Sequence, residues 1–255
     1  MTRQVIRWLY PYGSVRRVVR GPATGMRFVV EPTMGLAYAI GHPRAMPRYF
    51  SPHIRRGMTI FDVGANKGQM MLLFARLVGP EGRVVSFEPA PAEFRCLERN
   101  VRLNALDQVT TVQAAASDAP GDLVFMYDAA NPTQGKLRDV EPSYTVTGAV
   151  PVSVPARPLD EFLDQGLRPD LIKIDVEGAG LRVLRGAARI LEHVGPRILI
   201  ELHGPEEQAA VRDELLTRGY VAETLDGVRV ADPTVGWHDP LWCYRVRGQR
   251  SGVRE

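Results

Sequence analysis

The chain has 255 residues, of which 45% are hydrophobic and 24% charged, with a formal net charge of +3. This length is enough for one large hydrophobic core with an appended segment, and the composition is that of an ordinary globular domain. Two cysteines exclude a disulfide framework and a cysteine metal cluster. Because the sequence lacks both an apolar run long enough to span a bilayer and the features of a secretion signal, we expect a cytoplasmic protein without stable membrane insertion.

Residues 1–57 are interpreted as an N-terminal extension made of a helix or arm and short strands, with one strand predicted at 26–30. Its beginning is basic and aromatic, which suits either contact with a membrane or nucleic acid, or packing on the rest of the chain. Pro11 and Gly13 interrupt any continuous helix there, which favours packing. Since the sequence contains no nucleic-acid-binding motif, we expect no nucleic-acid partner.

From residue 58 to residue 255, strand and helix patterns alternate, which predicts an α/β fold with a doubly wound, mostly parallel sheet. Buried strands are predicted at 59–63, 83–87, 109–115, 170–174 and 197–201. Helices are predicted at 69–77, 92–104, 181–193 and 206–218. A turn at Asp226–Gly227 and a last strand at 242–246 are typical of an antiparallel C-terminal edge. Exposed edge strands and the aromatic residues Trp237 and Trp242 suit a homodimer.

Residues 119–156 interrupt this alternation. Two strands are predicted there, at 123–127 and 150–154, and the residues between them form a polar loop. Loops of this length inside a compact domain are usually functional or disordered. We therefore predict an active-site flap, with a disordered linker as the alternative.

A glycine-rich turn follows the first predicted strand, and an acidic residue ends the second. Gly64 and Gly68 enclose Ala65–Asn66–Lys67, and Glu88 and Pro89 follow the strand at 83–87. Such a layout holds an adenosine-containing ligand, because glycines let the backbone come close and a carboxylate accepts protons from the ribose hydroxyls.

The charge at this turn separates one adenosine cofactor from another. The dinucleotide pattern G-x-G-x-x-G is absent, and Asp62 lies directly before the turn, where a pyrophosphate would have to approach. A carboxylate there repels phosphate and attracts a cation. S-adenosylmethionine carries an ammonium and a sulfonium and no phosphate, so it is the predicted cofactor. An NAD(P)-binding oxidoreductase and a non-catalytic cofactor-binding protein are the alternatives.

Four motifs occur in order at successive strand ends. They are Phe61-Asp62-Val63-Gly64-Ala65-Asn66-Lys67-Gly68, Phe87-Glu88-Pro89, Lys173-Ile174-Asp175-Val176-Glu177-Gly178 and Ile200-Glu201-Leu202-His203. Together, over residues 35–204, they resemble the FkbM-type family of S-adenosylmethionine-dependent methyltransferases.

The resemblance implies a seven-stranded, Rossmann-like sheet of the class I methyltransferase type, with residues 58–255 as the methyltransferase domain. It also implies O-methylation of a hydroxyl on a small molecule or sugar. The chain departs from the family pattern at Gly180 and at His42–Arg44, because the family usually has an acid at each place.

The acids at the predicted strand ends suggest how the cofactor would lie. Asp62 and the amides of the glycine turn would face its methionine part, Glu88 its ribose, and Asp118 its adenine amino group. Each acid can instead cap the helix that follows it. The residues predicted to bind the cofactor are Asp62, Gly64, Ala65, Asn66, Gly68, Glu88, Pro89, Ser117, Asp118 and Asp175.

Methyl transfer to a hydroxyl needs an aligned nucleophile and is helped by a base. The predicted catalytic residues are Lys173, Asp175, Glu177 and His203. Lys173 and Asp175 leave the same face of a strand and are expected to pair. Imidazole is the side chain most often used as a base in enzymes, so His203 suits proton removal, or it simply caps the strand exit. Asp175, Glu177 and His203 are also a candidate metal site, but we expect no required metal.

Overall fold

The structure is a computed structural model that describes residues 11–30, 50–128, 135–140, 148–230 and 241–245. Its strands are β1 (Val15–Arg17), β2 (Arg27–Val29), β3 (Thr59–Val63), β4 (Arg83–Phe87), β5 (Val109–Val112), β6 (Ala115–Ala116), β7 (Gly121–Tyr127), β8 (Lys136–Leu137), β9 (Val150–Arg157), β10 (Leu171–Ile174), β11 (Arg197–Ile200), β12 (Tyr220–Thr224) and β13 (Leu241–Arg245). Its α-helices are α1 (Gln69–Val78), α2 (Pro91–Leu103), α3 (Asp160–Asp164), α4 (Gly180–Arg185), α5 (Ala188–His193) and α6 (Pro205–Thr217).

The main sheet of the described chain has seven strands in the order β12-β13-β11-β10-β3-β4-β5. The pairs from β11 to β5 are parallel, and β13 runs antiparallel to both of its neighbours. Strand β10 is buried along its whole length, as expected of a parallel strand covered on both faces. The predicted mostly parallel α/β sheet with an antiparallel C-terminal part is therefore confirmed.

Two hydrophobic clusters cover the two faces of this sheet. One contains buried residues of α1 and of the N-terminal region, including Phe28, Leu72 and Phe74. The other contains residues of α3 to α6, and in it the rings of Phe61, Phe87 and Phe162 meet edge to face. Packing on both faces fixes the sheet, so the loops at the carboxyl ends of its strands start from a rigid frame.

The prediction of a single helix at 181–193 is wrong, because the structure has two helices, α4 and α5, with a break at Gly186–Ala187. A Cβ atom at Gly186 would lie 1.9 Å from the carbonyl oxygen of Ser117, so only glycine fits at this position. Asp160 caps α5 from a distant part of the sequence: its two carboxylate oxygens accept from the amides of Arg189 and Ile190, each at 2.9 Å.

A second sheet, in the order β6-β9-β7-β8, occupies the region predicted as a flap or linker. Strands β7 and β9 pair antiparallel from Gly121–Ala156 to Tyr127–Val150. The strand predicted at 109–115 is two strands, since the chain leaves the main sheet after β5 and β6 pairs with β9. The described residues of 119–156 are thus largely sheet, which contradicts a disordered linker for that part. Residues 129–134 and 141–147 lie outside the described residues.

Hairpin β1–β2 of the N-terminal region packs on helix α2. The side-chain oxygen of Asn100 accepts from the amide of Val29 at 2.8 Å, and Asn104 bonds in the same way to Arg27 at 2.7 Å. Phe28 is fully buried against the main core. The described part of the N-terminal region therefore lies against the α/β domain. Most of its basic, aromatic beginning, at residues 1–10, and the sequence departure at His42–Arg44 lie outside the described residues.

One of the two aromatic residues proposed for a dimer surface, Trp242, is buried inside the protein. Trp242 is 1% exposed, and its ring packs edge to face on Phe50 at 5.8 Å. Trp237 lies outside the described residues. In the part of the chain that the structure describes, no helix is both long and apolar enough to cross a bilayer.

Candidate active site

The glycine turn after β3 is held tightly between β4 and the end of β10. The amides of Gly64 and Ala65 both donate to the carbonyl oxygen of Phe87, at 3.1 and 2.9 Å. Gly64 has φ of +76°, and a Cβ atom there would lie 1.8 Å from the carbonyl oxygen of Asp175. Only glycine satisfies both the left-handed conformation and this close approach.

Glu88 is a buried carboxylate at the tip of β4. Its oxygens accept from the amides of Asn66 and Ala90, each at 2.8 Å, so the side chain is fixed against the glycine turn. Burial raises the pKa of Glu88 to about 7, and the two amide hydrogen bonds oppose this shift. Each oxygen retains a lone pair for a further donor, which the paired hydroxyls of a ribose would supply.

A cleft opens beside Glu88 at the carboxyl ends of the strands. Its lining residues come from the glycine turn, the ends of β4 and β10, and the second sheet: Val63, Gly64, Asn66, Phe87, Glu88, Pro89, Ala90, Ala114, Ala115, Ala116, Phe125, Gly135, Leu137, Asp175, Val176, Glu177 and Ala179. Six of the predicted site residues are therefore brought together along one cleft: Gly64, Asn66, Glu88, Pro89, Asp175 and Glu177.

The second sheet supplies a wall of this cleft that the sequence did not reveal. Phe125 on β7 and Leu137 on β8 face it, and Gly135 packs against the ring of Phe125. These residues come from a segment with no recognisable ligand motif, so no local pattern pointed to them. The predicted flap region contributes a wall to the cleft.

The structure places the other predicted cofactor residues outside the cleft lining. Asp118 is exposed, and its carboxylate accepts a hydrogen bond from the Ser117 hydroxyl at 3.0 Å. Ala65 and Gly68 are buried in the turn, where a Cβ at Gly68 would lie 2.6 Å from Leu97 Cδ1. The cleft wall near Asp118 is formed by Ala114–Ala116 instead.

Asp62 and Lys173 form a buried charge pair beneath the turn. Asp62 is fully buried, and both of its oxygens lack a hydrogen bond; Lys173 Nζ lies 3.6 Å from Oδ1. Burial, only partly offset by Lys173, raises the pKa of Asp62. Neither Asp62 nor Lys173 is among the residues that line the cleft; both lie beneath the glycine turn.

The ammonium of Lys173 has its partners inside the protein. Its ammonium donates to the carbonyl oxygen of Gly64 at 2.8 Å and pairs with Asp175 Oδ2 at 3.2 Å, the pairing expected from the strand pattern. Burial opposes its charge, but Asp175 and Asp62 outweigh burial and raise the pKa of Lys173. The side chain thus fixes the turn and orients Asp175.

His203 meets the two acids of the β10 loop. Its Nε2 lies 3.3 Å from Glu177 Oε2 and 3.7 Å from Asp175 Oδ1, although a turn separates the acids. Glu177 has φ of +51°, a left-handed backbone that is costly for a residue with a side chain. A neutral imidazole among carboxylates can accept a proton, since the acids stabilise the imidazolium that forms.

Glu207, which sequence reasoning missed, lies behind His203. It is buried in the first turn of α6, and its carboxylate accepts from the amides of Gly180 and His203, each at 2.7 Å. Its position four residues after His203 was a usable signal, but the spacing alone did not show that the side chain turns inward.

The same cluster has the composition of a cation site. Ligand atoms of Asp175, Glu177 and His203 lie within 4.8 Å of one another. Carboxylate oxygens with an imidazole suit a divalent first-row metal. However, the ammonium of Lys173, 3.2 Å from Asp175 Oδ2, already neutralises that carboxylate and repels a second cation.

Comparison with known proteins agrees with this architecture. A family model described as the methyltransferase FkbM domain matches residues 62–222. Methyltransferase sdnD of Sordaria araneosa is 35% identical over 154 residues, a match covering 50% of this chain and 59% of that protein. The 31-O-demethyl-FK506 methyltransferase FkbM of Streptomyces tacrolimicus is 33% identical over 160 residues, covering 52% of this chain and 60% of that protein.

The chain therefore spans less than two thirds of the length of these two relatives. The crystal structure of methyltransferase FkbM from Methylobacillus flagellatus KT superposes with a TM-score of 0.51 at 19% identity, covering 74% of this chain and 43% of that one, which shows likeness of fold. The family model spans more than half of the chain and includes the turn, Glu88 and the His203 cluster. The chain thus belongs to the FkbM methyltransferase family.

Proposed function

We propose that this protein transfers a methyl group from S-adenosylmethionine to a hydroxyl group of a small molecule or sugar. The observation that supports the cofactor most directly is the charge of the cleft. Its described lining contains three acids, Glu88, Asp175 and Glu177, and no lysine, arginine or histidine. Such a surface attracts a cationic nucleoside and repels a diphosphate, which disfavours a nicotinamide dinucleotide.

The residues present fit this cofactor. Glu88 is fixed by two amides with lone pairs to spare for the ribose, and Gly64 admits close approach to the backbone. Pro89, Ala115 and Phe125 offer an apolar surface for the adenine ring. When bound, S-adenosylmethionine supplies a methyl carbon that bonds to the acceptor oxygen while the carbon–sulfur bond breaks and its electron pair stays on sulfur, leaving a neutral thioether.

His203 is the proposed base in this reaction. Its Nε2 takes the proton of the acceptor hydroxyl, and Asp175 and Glu177, at 3.7 and 3.3 Å, stabilise the resulting imidazolium. Lys173 keeps Asp175 oriented and the glycine turn in place. General-base help of this kind contributes roughly a hundredfold to ten-thousandfold in rate.

The acceptor class rests on the family. The relative from Streptomyces tacrolimicus is named for methylation of an oxygen of 31-O-demethyl-FK506. The histidine cluster suits such an acceptor, because a hydroxyl must lose its proton when its oxygen is methylated. We therefore propose an O-methyltransferase, with one acceptor hydroxyl near His203.

Calorimetry tests the cofactor proposal. Titration with S-adenosylmethionine is expected to give a dissociation constant in about the micromolar range or tighter, while NAD and NADP give no measurable heat. Folded protein that binds a dinucleotide and not S-adenosylmethionine would overturn the proposal.

Turnover tests the reaction. Release of S-adenosylhomocysteine is measured against a panel of hydroxylated small molecules and sugars, which separates an enzyme from a non-catalytic binding protein. His203→Ala is expected to lower turnover about a hundredfold or more while cofactor affinity changes little. His193→Ala, at the exposed end of α5, is the matched control and keeps full turnover.

We also propose that no metal is required, because the ammonium of Lys173 already neutralises the carboxylate of Asp175. Turnover is expected to be unchanged after treatment with a chelator and gel filtration. Loss of turnover that returns with a divalent cation would instead assign Asp175, Glu177 and His203 as its ligands.

A further inference from the structure

A second cavity lies at the opposite end of the main sheet from the proposed active site. Its lining residues come from the turn of hairpin β1–β2, the ends of α1 and α2, and the loops that precede β3 and β5. These loops are at the amino ends of the parallel strands, whereas the cleft beside Glu88 is at their carboxyl ends. The five residues of β3 extend over about 16 Å, so a small ligand in this cavity does not reach the cleft.

The second cavity is electropositive. Its volume of about 500 Å³ is within the range of small-molecule sites. Arg56 and Arg76 both line it, and its described lining contains no aspartate or glutamate. The nearest acids in the sequence, Glu81 and Asp107, are exposed and do not belong to the lining. The described N-terminal region, which forms one wall, also carries arginines and no acid. The charge of this cavity is therefore opposite to that of the cleft.

The two guanidinium groups are not needed to complete the end of helix α1. Within the described chain, the side chains of Arg56 and Arg76 make no hydrogen bond or ion pair. Two carbonyl oxygens in the last turn of α1 accept instead from the amides of Gly79 and Gly57, at 3.2 and 2.9 Å. The carboxyl end of a helix carries about half a negative charge. Two guanidinium ions exceed this charge, so the cavity keeps a positive excess.

The guanidinium of Arg56 has a defined place in the cavity. A Cβ atom at Gly79 would lie 2.9 Å from Arg56 Cζ, 3.1 Å from Nη1 and 3.0 Å from Nη2, so the guanidinium plane lies flat over this glycine. A guanidinium carries its N–H groups in its plane, and these edges have no acceptor among the described residues. Gln108, which also lines the cavity, donates one amide hydrogen to the carbonyl oxygen of Ala75 at 3.4 Å and has a second one to donate.

We propose that this cavity binds the phosphate monoester of a small molecule, whose phosphate group contacts Arg56 and Arg76. Guanidinium groups bind phosphate oxygens through paired, charge-assisted hydrogen bonds. Two of them match the double negative charge of a monoester better than the single charge of a carboxylate. The volume leaves room for an attached group of about the size of a sugar ring. This site lies outside the methyl-transfer cleft and does not depend on the function proposed for it.

Calorimetry at constant ionic strength tests the chemical class of the ligand. The probes are glucose 6-phosphate, inorganic phosphate, glucuronate and glucose. Glucose 6-phosphate is expected to bind with a dissociation constant of about a millimolar or tighter, and glucose is expected to give no heat. Glucuronate, which carries a carboxylate, is expected to bind at least about tenfold more weakly than the phosphate ester. Equal binding of the two sugars, or no binding of either phosphate compound at about 10 mM, would overturn the proposal.

Variants with equal net charge test the place of binding. Arg56→Gln and Arg76→Gln are each expected to weaken glucose 6-phosphate binding about tenfold, because each removes a charge-assisted contact. The matched control combines Arg55→Gln with Arg83→Gln, which are exposed and outside the lining, and is expected to bind as wild type does. All four arginines are exposed, so we expect the thermal midpoint of unfolding to stay close to that of wild type. Equal losses in the control and in the double variant of Arg56 and Arg76 would indicate unspecific attraction and contradict the site.

Two further measurements separate this site from other sources of phosphate and from the cleft. Phosphatidylcholine vesicles with and without phosphatidic acid present the same monoester as a lipid headgroup. Binding to the acidic vesicles alone, without binding of glucose 6-phosphate, would overturn a small-molecule site. Titration with S-adenosylmethionine in the presence of glucose 6-phosphate is expected to give the affinity measured without it. Competition between the two would place the phosphate in the cleft and contradict the proposal, whereas failure of S-adenosylmethionine to bind at all would affect only the proposed function.

Discussion

Glu88 combines burial with a proposed role, cofactor binding, that requires its charge. Burial raises its pKa to about 7, so in the free protein it is about half protonated near neutral pH. Amides of Asn66 and Ala90 hold the carboxylate in place at the cleft. A ligand that donates hydrogen bonds to both oxygens of Glu88 favours the ionised carboxylate. At a pH below the pKa, binding of such a ligand must therefore remove the proton from Glu88.

The affinity for S-adenosylmethionine is therefore expected to depend on pH. Because the preferred form of Glu88 is the ionised one, binding strengthens as pH rises through about 7 and weakens, approaching tenfold per pH unit, well below it. Calorimetry between about pH 6 and pH 8 measures this change. Glu88→Gln is expected to bind more weakly and to lose most of the dependence; an equal slope in the variant would assign the titration to another group.

At Gly64 the constraint is steric, because there is no room for a side chain. Gly64→Ala adds a methyl group 1.8 Å from the carbonyl oxygen of Asp175, at φ of +76°. We expect a loss of about 3 kcal/mol or more in the free energy of unfolding and loss of cofactor binding. Gly57→Ala is the matched control, with φ of +83° and open space around its Cβ. Urea unfolding of both variants separates the steric clash from backbone strain, and equal losses would contradict the clash.

Residues at the tips of strands were the most predictable from sequence. Gly64 and Glu88 were found because a local pattern, strand then turn or strand then acid, fixes their position. Asp118 was predicted at the adenine; it is exposed and lies outside the cleft lining, where the chain has left the main sheet after β5. Glu207 was missed because its importance depends on two amides, one of them 27 residues away, and no local pattern reports such a contact.

At the scale of elements, strands β6 to β9 form a wall of the cleft rather than a loose segment. The seven-residue ladder between β7 and β9 carries Phe125, which lines the cleft. Sequence predicted two strands here but not their pairing, because pairing depends on the partner strand and not on local pattern. The remaining polar residues, at 129–134 and 141–147, are outside the described chain.

The position of the Phe125 ring depends on a glycine in the next strand region. A Cβ atom at Gly135 would lie 2.5 Å from Phe125 Cζ, so Gly135→Ala is expected to push the ring into the cleft. We expect S-adenosylmethionine to bind about tenfold more weakly, because even small overpacking displaces a side chain. In a Phe125→Leu background, which lacks the colliding atoms, Gly135→Ala is expected to have little further effect. Calorimetry on the four proteins measures the coupling, and additive effects would contradict it.

At the scale of the whole molecule, Lys173 connects the parts of the site through the core. It pairs with Asp62 on β3 and Asp175 after β10, and it donates to Gly64 in the turn. The motif that contains Lys173 was evident in the sequence, and so was its pairing with Asp175. Its burial and its contact with Asp62 were not, because they depend on the parallel register that places Lys173 beside Asp62.

Lys173→Met is expected to cost about 3–5 kcal/mol in the free energy of unfolding, because it leaves Asp62 buried without its cation. Burial already raises the pKa of Asp62, so the loss grows as pH rises and the carboxyl ionises. Adding Asp62→Asn removes that charge and is expected to restore part of the stability. Urea unfolding measures wild type, Lys173→Met and the double variant, and a Lys173→Met protein within about 1 kcal/mol of wild type would contradict the argument.

The order of strands also determines when the molecule can finish folding. Strand β13 follows every other described strand in the chain, yet it lies between β11 and β12 and carries the buried Trp242. During synthesis, β11 and β12 must therefore wait, with unpaired edges, until residues 241–245 emerge from the ribosome. We expect a nascent chain stopped before Leu241 to remain sensitive to protease. The loops that carry Asp175, Glu177 and His203 are then already synthesised but not yet held in place.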